Sequence, residues 1–336
     1  MSKVSGPALF LSAVIAASSA VVGYLIFTYS DGADVQPAVS RLELSDIPFN
    51  GERAYGYLEQ ICEIGPRPSG SAGMRKQQEL LQRHFEKAGG QVSLQEFRVR
   101  HPLDGSAVAL ANMLIEWHPE RRERILLCAH YDTRPFPDRD PVNPKGIFLG
   151  ANDGASGVAL LMELGQAVSQ WDGKYGVDFL LFDGEEFIFR DTDAYRKGDP
   201  YFLGSEHFAH NYVAKPPAYR YRAGVLLDMV ADADLQIYQE RNSVSWRDTR
   251  PLVFSIWKTA AELGVREFIP RPKHAINDDH LALRNIAKIP TCDIIDFDYP
   301  AWHTEQDDPQ RCSALSLAKV GWVIEVWLKK EAGAGE

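Results

Sequence analysis

The chain alternates short apolar runs with longer stretches whose apolar residues recur every three or four positions. Ile125–Ala129 is a continuous apolar run, and Val177–Phe182, Gly224–Met229 and Ile289–Ile295 are largely apolar. Unbroken apolar strands of this kind lie inside a sheet covered on both faces. Two further strand-like runs, Val92–Arg100 and Val108–Trp117, precede them. Helical spacing appears in Ala54, Leu58 and Ile61, and again in Met74, Leu81, Phe85 and Ala88 before Gly89-Gly90. It returns in Leu161, Leu164 and Val168, over Tyr201–Tyr212 and Leu252–Leu263, after Asn277, and over Ser313–Lys330, whose Leu317, Val320, Ile324 and Trp327 share a face. Strands alternating with helices predict one α/β domain with a central, mostly parallel twisted sheet flanked by helices.

The N-terminus carries a different pattern. Residues 8–29 are nearly all apolar or small, long enough at 1.5 Å rise per residue to cross a hydrocarbon core of roughly 30 Å. Lys3 precedes the run, and no Lys or Arg follows until Arg41. This reads as a transmembrane anchor with residues 1–7 in the cytoplasm and the rest exported, periplasmic or extracellular. The alternative is a cleaved signal peptide, but the run is long and no small-x-small site follows it. Residues 30–50 read as a polar linker, and residues 51–336 as the catalytic domain.

A net charge of −10 argues against nucleic acid as the partner. Cys62, Cys128, Cys292 and Cys312 form no CxxC pair; Cys128 and Cys292 read as packing residues, and Cys62 and Cys312 could pair in an oxidising compartment. Several acidic and histidine residues sit at or after the strand ends, where α/β sheets place their chemistry. Asp183-Gly184-Glu185-Glu186 follows one strand, and adjacent carboxylates on a tight turn point different ways. One can hold a metal while its neighbour faces the reacting atoms. Zinc takes His nitrogens and carboxylate oxygens and leaves a position open for catalysis.

Six phrases occur in order: His130-Tyr131-Asp132, Gly150-Ala151-Asn152-Asp153, Asp183–Glu186, Leu226-Leu227-Asp228-Met229, Asp278-Asp279-His280 and Trp302-His303-Thr304. From about residue 51 onward this set resembles the zinc aminopeptidase clan, and within it the glutaminyl-peptide cyclotransferases of bacteria. Cys128–Pro135, Gly224–Val230 and Asp293–Asp298 carry the closer likeness. The resemblance implies one zinc held by Asp153, Glu186 and His303. It makes Glu185 the general acid/base, Asp228 and Asp278 its hydrogen-bonding partners, and Trp302 and Tyr299 substrate-binding surface. The implied reaction turns an N-terminal glutamine of a peptide or protein into pyroglutamate with loss of ammonia. Cyclases commonly carry a Trp after the acidic pair, where this chain reads Phe187-Ile188-Phe189, and Tyr201 or Phe202 could supply that surface.

Blander roles stand beside these. His130 could bind a second metal, as in a di-zinc aminopeptidase, or be a hydrogen-bonded core residue. Asp132 reads as the residue that orients His130. Asp183 reads as a turn former, Asp279 as a helix cap, and His280 and His274 as structural or solvent-facing. Trp246, Trp257, Trp322 and Trp327 read as packing. A catalytically dead binding module on the same fold is a third reading; the intact ligand set and Glu185 argue against it.

Overall fold

The computed structural model describes residues 39–189 and 201–333. The expected anchor at 8–29 and the first part of the linker, residues 30–38, lie outside the described residues. No helix among the described residues is long and apolar enough to cross a membrane.

Chain order runs α1 (Gly51–Cys62), α2 (Ala72–Lys87), β1 (Gln91–Arg100), β2 (Ala107–Trp117), β3 (Glu123–His130), α3 (Ala155–Val168), β4 (Gly176–Phe182) and α4 (Leu203–Ala214). It continues with β5 (Arg220–Asp228), β6 (Ile237–Gln239), α5 (Arg241–Ser245), α6 (Arg250–Leu263), β7 (Phe268–Pro272), α7 (Asp279–Asn285), β8 (Thr291–Ile295) and α8 (Ala314–Ala332). Six strands form one sheet in the order β1-β2-β4-β3-β5-β8. β4, β3, β5 and β8 run parallel, while β1 and β2 add an antiparallel edge. The sheet is therefore mixed, with its parallel half where the apolar runs predict it.

Side chains alternate across a strand, and here both faces are dry. Ile125, Leu127 and Ala129 of β3 join Phe179 and Leu181 of β4 in a core with α1, α2, α3 and α8. Leu126, Cys128, Leu180 and Phe182 face the other way, against Phe208 of α4 and Leu283 of α7. Truncating a fully buried residue such as Leu127 to Ala is worth about 2–5 kcal/mol. Helix α3 crosses so close to the sheet that a Cβ on Gly157 would collide with the Leu227 carbonyl oxygen. Edge strand β1 alternates between exposed and half-buried residues, as an antiparallel strand with one solvated face should.

Two strands were not legible. β6 and β7 pair in parallel outside the main sheet. The first is three residues long and the second contains Pro270 and Pro272, so neither shows a period-two signal. Trp257 and Trp327 are core residues, and Trp322 packs on the same core. All four cysteines are free and buried, so Cys62 and Cys312 are not bridged.

Candidate active site

The chemistry collects at the C-terminal edge of the parallel strands. His130 ends β3, Glu185 and Glu186 follow β4, Asp228 ends β5, and Trp302-His303 lies beyond β8. Asp153 comes from the turn before α3, and Asp278 caps α7. The β4 turn is possible because Gly184 takes φ +82°, and a Cβ there would strike Leu110. His303 (φ 58°) and Met229 (φ 46°) also adopt left-handed backbone, at a cost of order 1–3 kcal/mol each. Strain of this kind persists only where the surroundings enforce it.

Asp132 does more than face His130. Its oxygens accept the backbone N–H groups of Glu185 (3.2 Å) and Glu186 (3.0 Å), which fixes the acidic turn. Its contact with His130 Nδ1 is longer, at 3.7 Å. Asp183 is fully buried and accepts from Ser69 Oγ (2.6 Å) and the Ala111 amide (2.9 Å), so it anchors the turn to β2 instead of merely shaping it. Burial, then the neighbouring Asp132, pushes its carboxyl up to about 8.

Asp153, Glu186 and His303 converge, with candidate ligand atoms all within 4.8 Å of one another. His303 Nε2 lies 3.0 Å from Glu186 Oε1 and 3.5 Å from Asp153 Oδ2. Burial, then Arg134, pulls His303 down to about 3, so the ring is neutral, as a metal ligand must be. Asp153 Oδ2 is buried without a hydrogen-bond partner. An orphaned carboxylate oxygen facing a neutral imidazole and a second carboxylate suits a cation, and this N/O donor set suits zinc. His130 forms a second cluster with Asp153 and Asp228, its Nε2 3.1 and 3.2 Å from their oxygens. Burial opposes charge on His130, but Asp132, Asp153 and Asp228 outweigh it and hold its pKa well above the usual value.

Glu185 Oε2 lies 3.9 Å from His130 Nδ1. Burial, then Glu186, raises its pKa well above normal. Asp278 is raised in the same direction by burial, Asp228 and Asp279. Trp302 is half-buried, with its ring 4.1 Å from that of His303.

Other expected residues fall elsewhere. Tyr299 is 4% exposed and offers no open surface. Its hydroxyl donates to Asp307 (2.9 Å), which in turn accepts the Asn152 and Asp153 amides (2.8 and 3.1 Å), so Tyr299 supports the Asp153 turn from behind. The α7 cap is Asp278, whose side chain accepts the Asp279 amide; Asp279 itself is the first helical residue and fully buried. His280 is fully buried against Glu240 (3.4 Å) and Asp293 (3.8 Å), not solvent-facing. His274 is half-buried and pairs with Asp298 at 3.0 Å. Tyr201 reaches the site: its hydroxyl accepts from Arg134 Nη2 at 3.1 Å. Asp307, Ser69 and Arg134 were missed as site residues; only Arg134 carried a signal, inside the Cys128–Pro135 phrase.

Known proteins share this fold. The glutaminyl cyclase of Fimbriiglobus ruber superposes with a TM-score of 0.80 at 38% identity, over 88% of this chain and 99% of that one. A Zn-dependent exopeptidase from Parabacteroides distasonis gives 0.76 at 30%, over 82% and 97%. The glutaminyl-peptide cyclotransferase-like protein of Mus musculus is 25% identical over 88% of this chain and 79% of its own length. The model of peptidase family M28 matches residues 112–328, which span the sheet from β2 to α8 and every residue of the Asp153–Glu186–His303 cluster. By that match the chain belongs to peptidase family M28.

Proposed function

We propose that the protein converts the N-terminal glutamine of a peptide or protein into pyroglutamate and releases ammonia, with one zinc held by Asp153, Glu186 and His303. When bound, the zinc supplies Lewis acidity toward the side-chain amide carbonyl. The α-amine nitrogen attacks the amide carbon, the ring C–N bond forms, and the old C–N bond breaks as ammonia departs. Glu185 takes the proton from the amine and returns it to the leaving nitrogen. Its raised pKa suits a group that must hold and release a proton in one turnover. Burial raises both Asp228 and Asp278, and Asp228 further raises Asp278; together they would share a proton, hydrogen-bond the amide and stabilise the tetrahedral intermediate. Trp302 covers the rim and limits water, which would hydrolyse the amide instead.

The observation that carries this reading is the buried trio Glu185, Asp228 and Asp278, clustered beside the triad and not within it. Three carboxyl groups sharing protons can shuttle and donate, as cyclisation demands. The 38%-identical cyclase structure supports the same choice. A second reading rests on the His130–Asp153–Asp228 cluster: two zincs sharing Asp153, Glu185 activating water, and removal of N-terminal residues by hydrolysis. Incubating the full-length protein with a Gln-initiated peptide separates them by mass spectrometry. Loss of one ammonia supports cyclisation; release of free glutamine overturns it in favour of the peptidase.

The apolar run at 8–29 and its single flanking Lys3 also lead us to infer a membrane anchor with the catalytic domain exported.

A further inference from the structure

The loop from Thr133 to Gly150 lies between β3 and the turn that carries Asp153. It carries Pro135, Pro137, Pro141 and Pro144, and two of its charged residues, four apart, reach the triad. Arg134 and the side chain of Asp138 are both shut off from solvent. Arg134 Nε lies 2.8 Å from Glu186 Oε2 and 3.2 Å from Asp138 Oδ1, and donates to His303 Nε2 at 3.2 Å. Asp138 Oδ1 lies 3.4 Å from His303 Nδ1 on the other side of the ring.

The proton on His303 follows from these contacts. Nε2 faces Asp153 and Glu186, with Arg134 Nε 3.2 Å away. A nitrogen that binds a metal carries no proton, so with zinc on Nε2 the ring N–H is on Nδ1. Nδ1 is buried and has no hydrogen-bond partner, and neither oxygen of Asp138 has one. Orphaned donors and acceptors are costly when buried, and a small rotation of the ring would join these two. Metal-binding histidines usually donate their second N–H to a carboxylate, which fixes both tautomer and ring.

We propose that Asp138 is the positioning residue that orients His303 as a metal ligand, with Arg134 tying Asp138 to Glu186. The proposal rests on the zinc reading given above. Asp138 has a second duty. Without it the Arg134 cation would face Glu186 alone and compete with the metal for that carboxylate. The loop adds two further holds on the same pair of residues: the Arg139 amide donates to the His303 carbonyl oxygen (3.1 Å), and the Arg139 guanidinium lies 3.9 Å from the centre of the Trp302 ring. The ligand, its ring orientation and the adjoining pocket wall are thus all set by residues 134–139.

The test is zinc affinity, measured on the full-length protein by competition with a chromophoric chelator, together with melting of the zinc-free form. Asp138→Asn and Asp138→Ala should bind zinc about 10–100-fold more weakly than wild type. Their zinc-free melting temperatures should fall, because one partner of the buried Asp138–Arg134 ion pair has been removed and Arg134 is left with Glu186 alone. Unchanged zinc affinity in both variants, or lower zinc-free stability with unchanged affinity, would overturn the proposal. Nitrogen NMR of the zinc-loaded wild type needs no variant: His303 should carry its proton on Nδ1, and a proton on Nε2 overturns the assignment. A wild type that fails to bind zinc at all would remove the zinc reading itself, which separates the two failures.

Discussion

Glu185→Gln isolates proton transfer from everything else the site does. Glutamine has the shape of a protonated glutamate, and burial with Glu186 alongside already favours that form. The fold and the Asp153–Glu186–His303 cluster are untouched, so zinc content should stay at the wild-type level. General acid/base catalysis is typically worth about 10²–10⁴-fold, or about 2.7–5.5 kcal/mol of barrier at 1.36 kcal/mol per decade. The drop should appear in kcat, since Glu185 acts on protons in flight and not on bound substrate. Stability should move the other way. A folded pKa above the unfolded value of about 4.3 favours folding fully only below that value, and the gain is lost as pH rises toward the folded pKa. Glutamine carries no such group, so the zinc-free variant should melt progressively higher than zinc-free wild type as pH increases. The assays are ammonia release, metal analysis and melting from mildly acid to mildly alkaline pH. Near-normal kcat in a zinc-replete variant would refute the role of Glu185.

Glu186→Gln should instead lose zinc to a chelator that wild type resists, because one of three ligands is weakened; equal retention would undo the division of labour between the two glutamates. His130→Asn should keep one zinc and measurable cyclisation, whereas two zincs in wild type and loss of one in the variant would favour the peptidase. Full-length protein should sediment with membranes and become soluble once residues 1–30 are removed; an intact chain found free of membranes would contradict the anchor. Asp296 is pushed up to about 7 chiefly by burial, so its contribution is complete below about pH 4 and fades as pH rises through 7. Asp296→Asn should flatten the fall of melting temperature across that window, and an unchanged slope would show that burial does not shift this group.

The parts of the fold that could be read from the sequence are those where one physical rule acts alone. Residues 125–129 are apolar throughout, and 177–182 are apolar save Asp178, because both faces of β3 and β4 are covered. β6 and β7 were hidden because their pairing is tertiary: Ile237 and Phe268 are thirty-one positions apart, and neither segment has a strand-like period. Within the site, the acidic turn and the two histidines were visible as residue types at strand ends. Tyr299 packs in the same apolar cluster as Trp302, but its hydroxyl turns inward to Asp307, which its sequence position does not show. Asp307 itself was illegible. It works by accepting two backbone N–H groups from a turn over 150 positions away, and no local pattern marks such a bond.

Whether the site needs one metal or two turns on what lies between His130, Asp153 and Asp228. Nε2 of His130 is at hydrogen-bonding distance from both carboxylates, so a single ring proton can serve the position where a second cation would sit. The two histidines are set in opposite states. His303 has Arg134 against it and is neutral; His130 faces Asp132, Asp153 and Asp228 and is held in its charged form. A second zinc at His130 would first have to displace that proton, since ligands must be neutral imidazoles. At His303 there is no proton to displace from Nε2. The asymmetry comes from burial, reinforced by Arg134, at His303 and from Asp132, Asp153 and Asp228 outweighing burial at His130; it is consistent with the one-zinc reading proposed above.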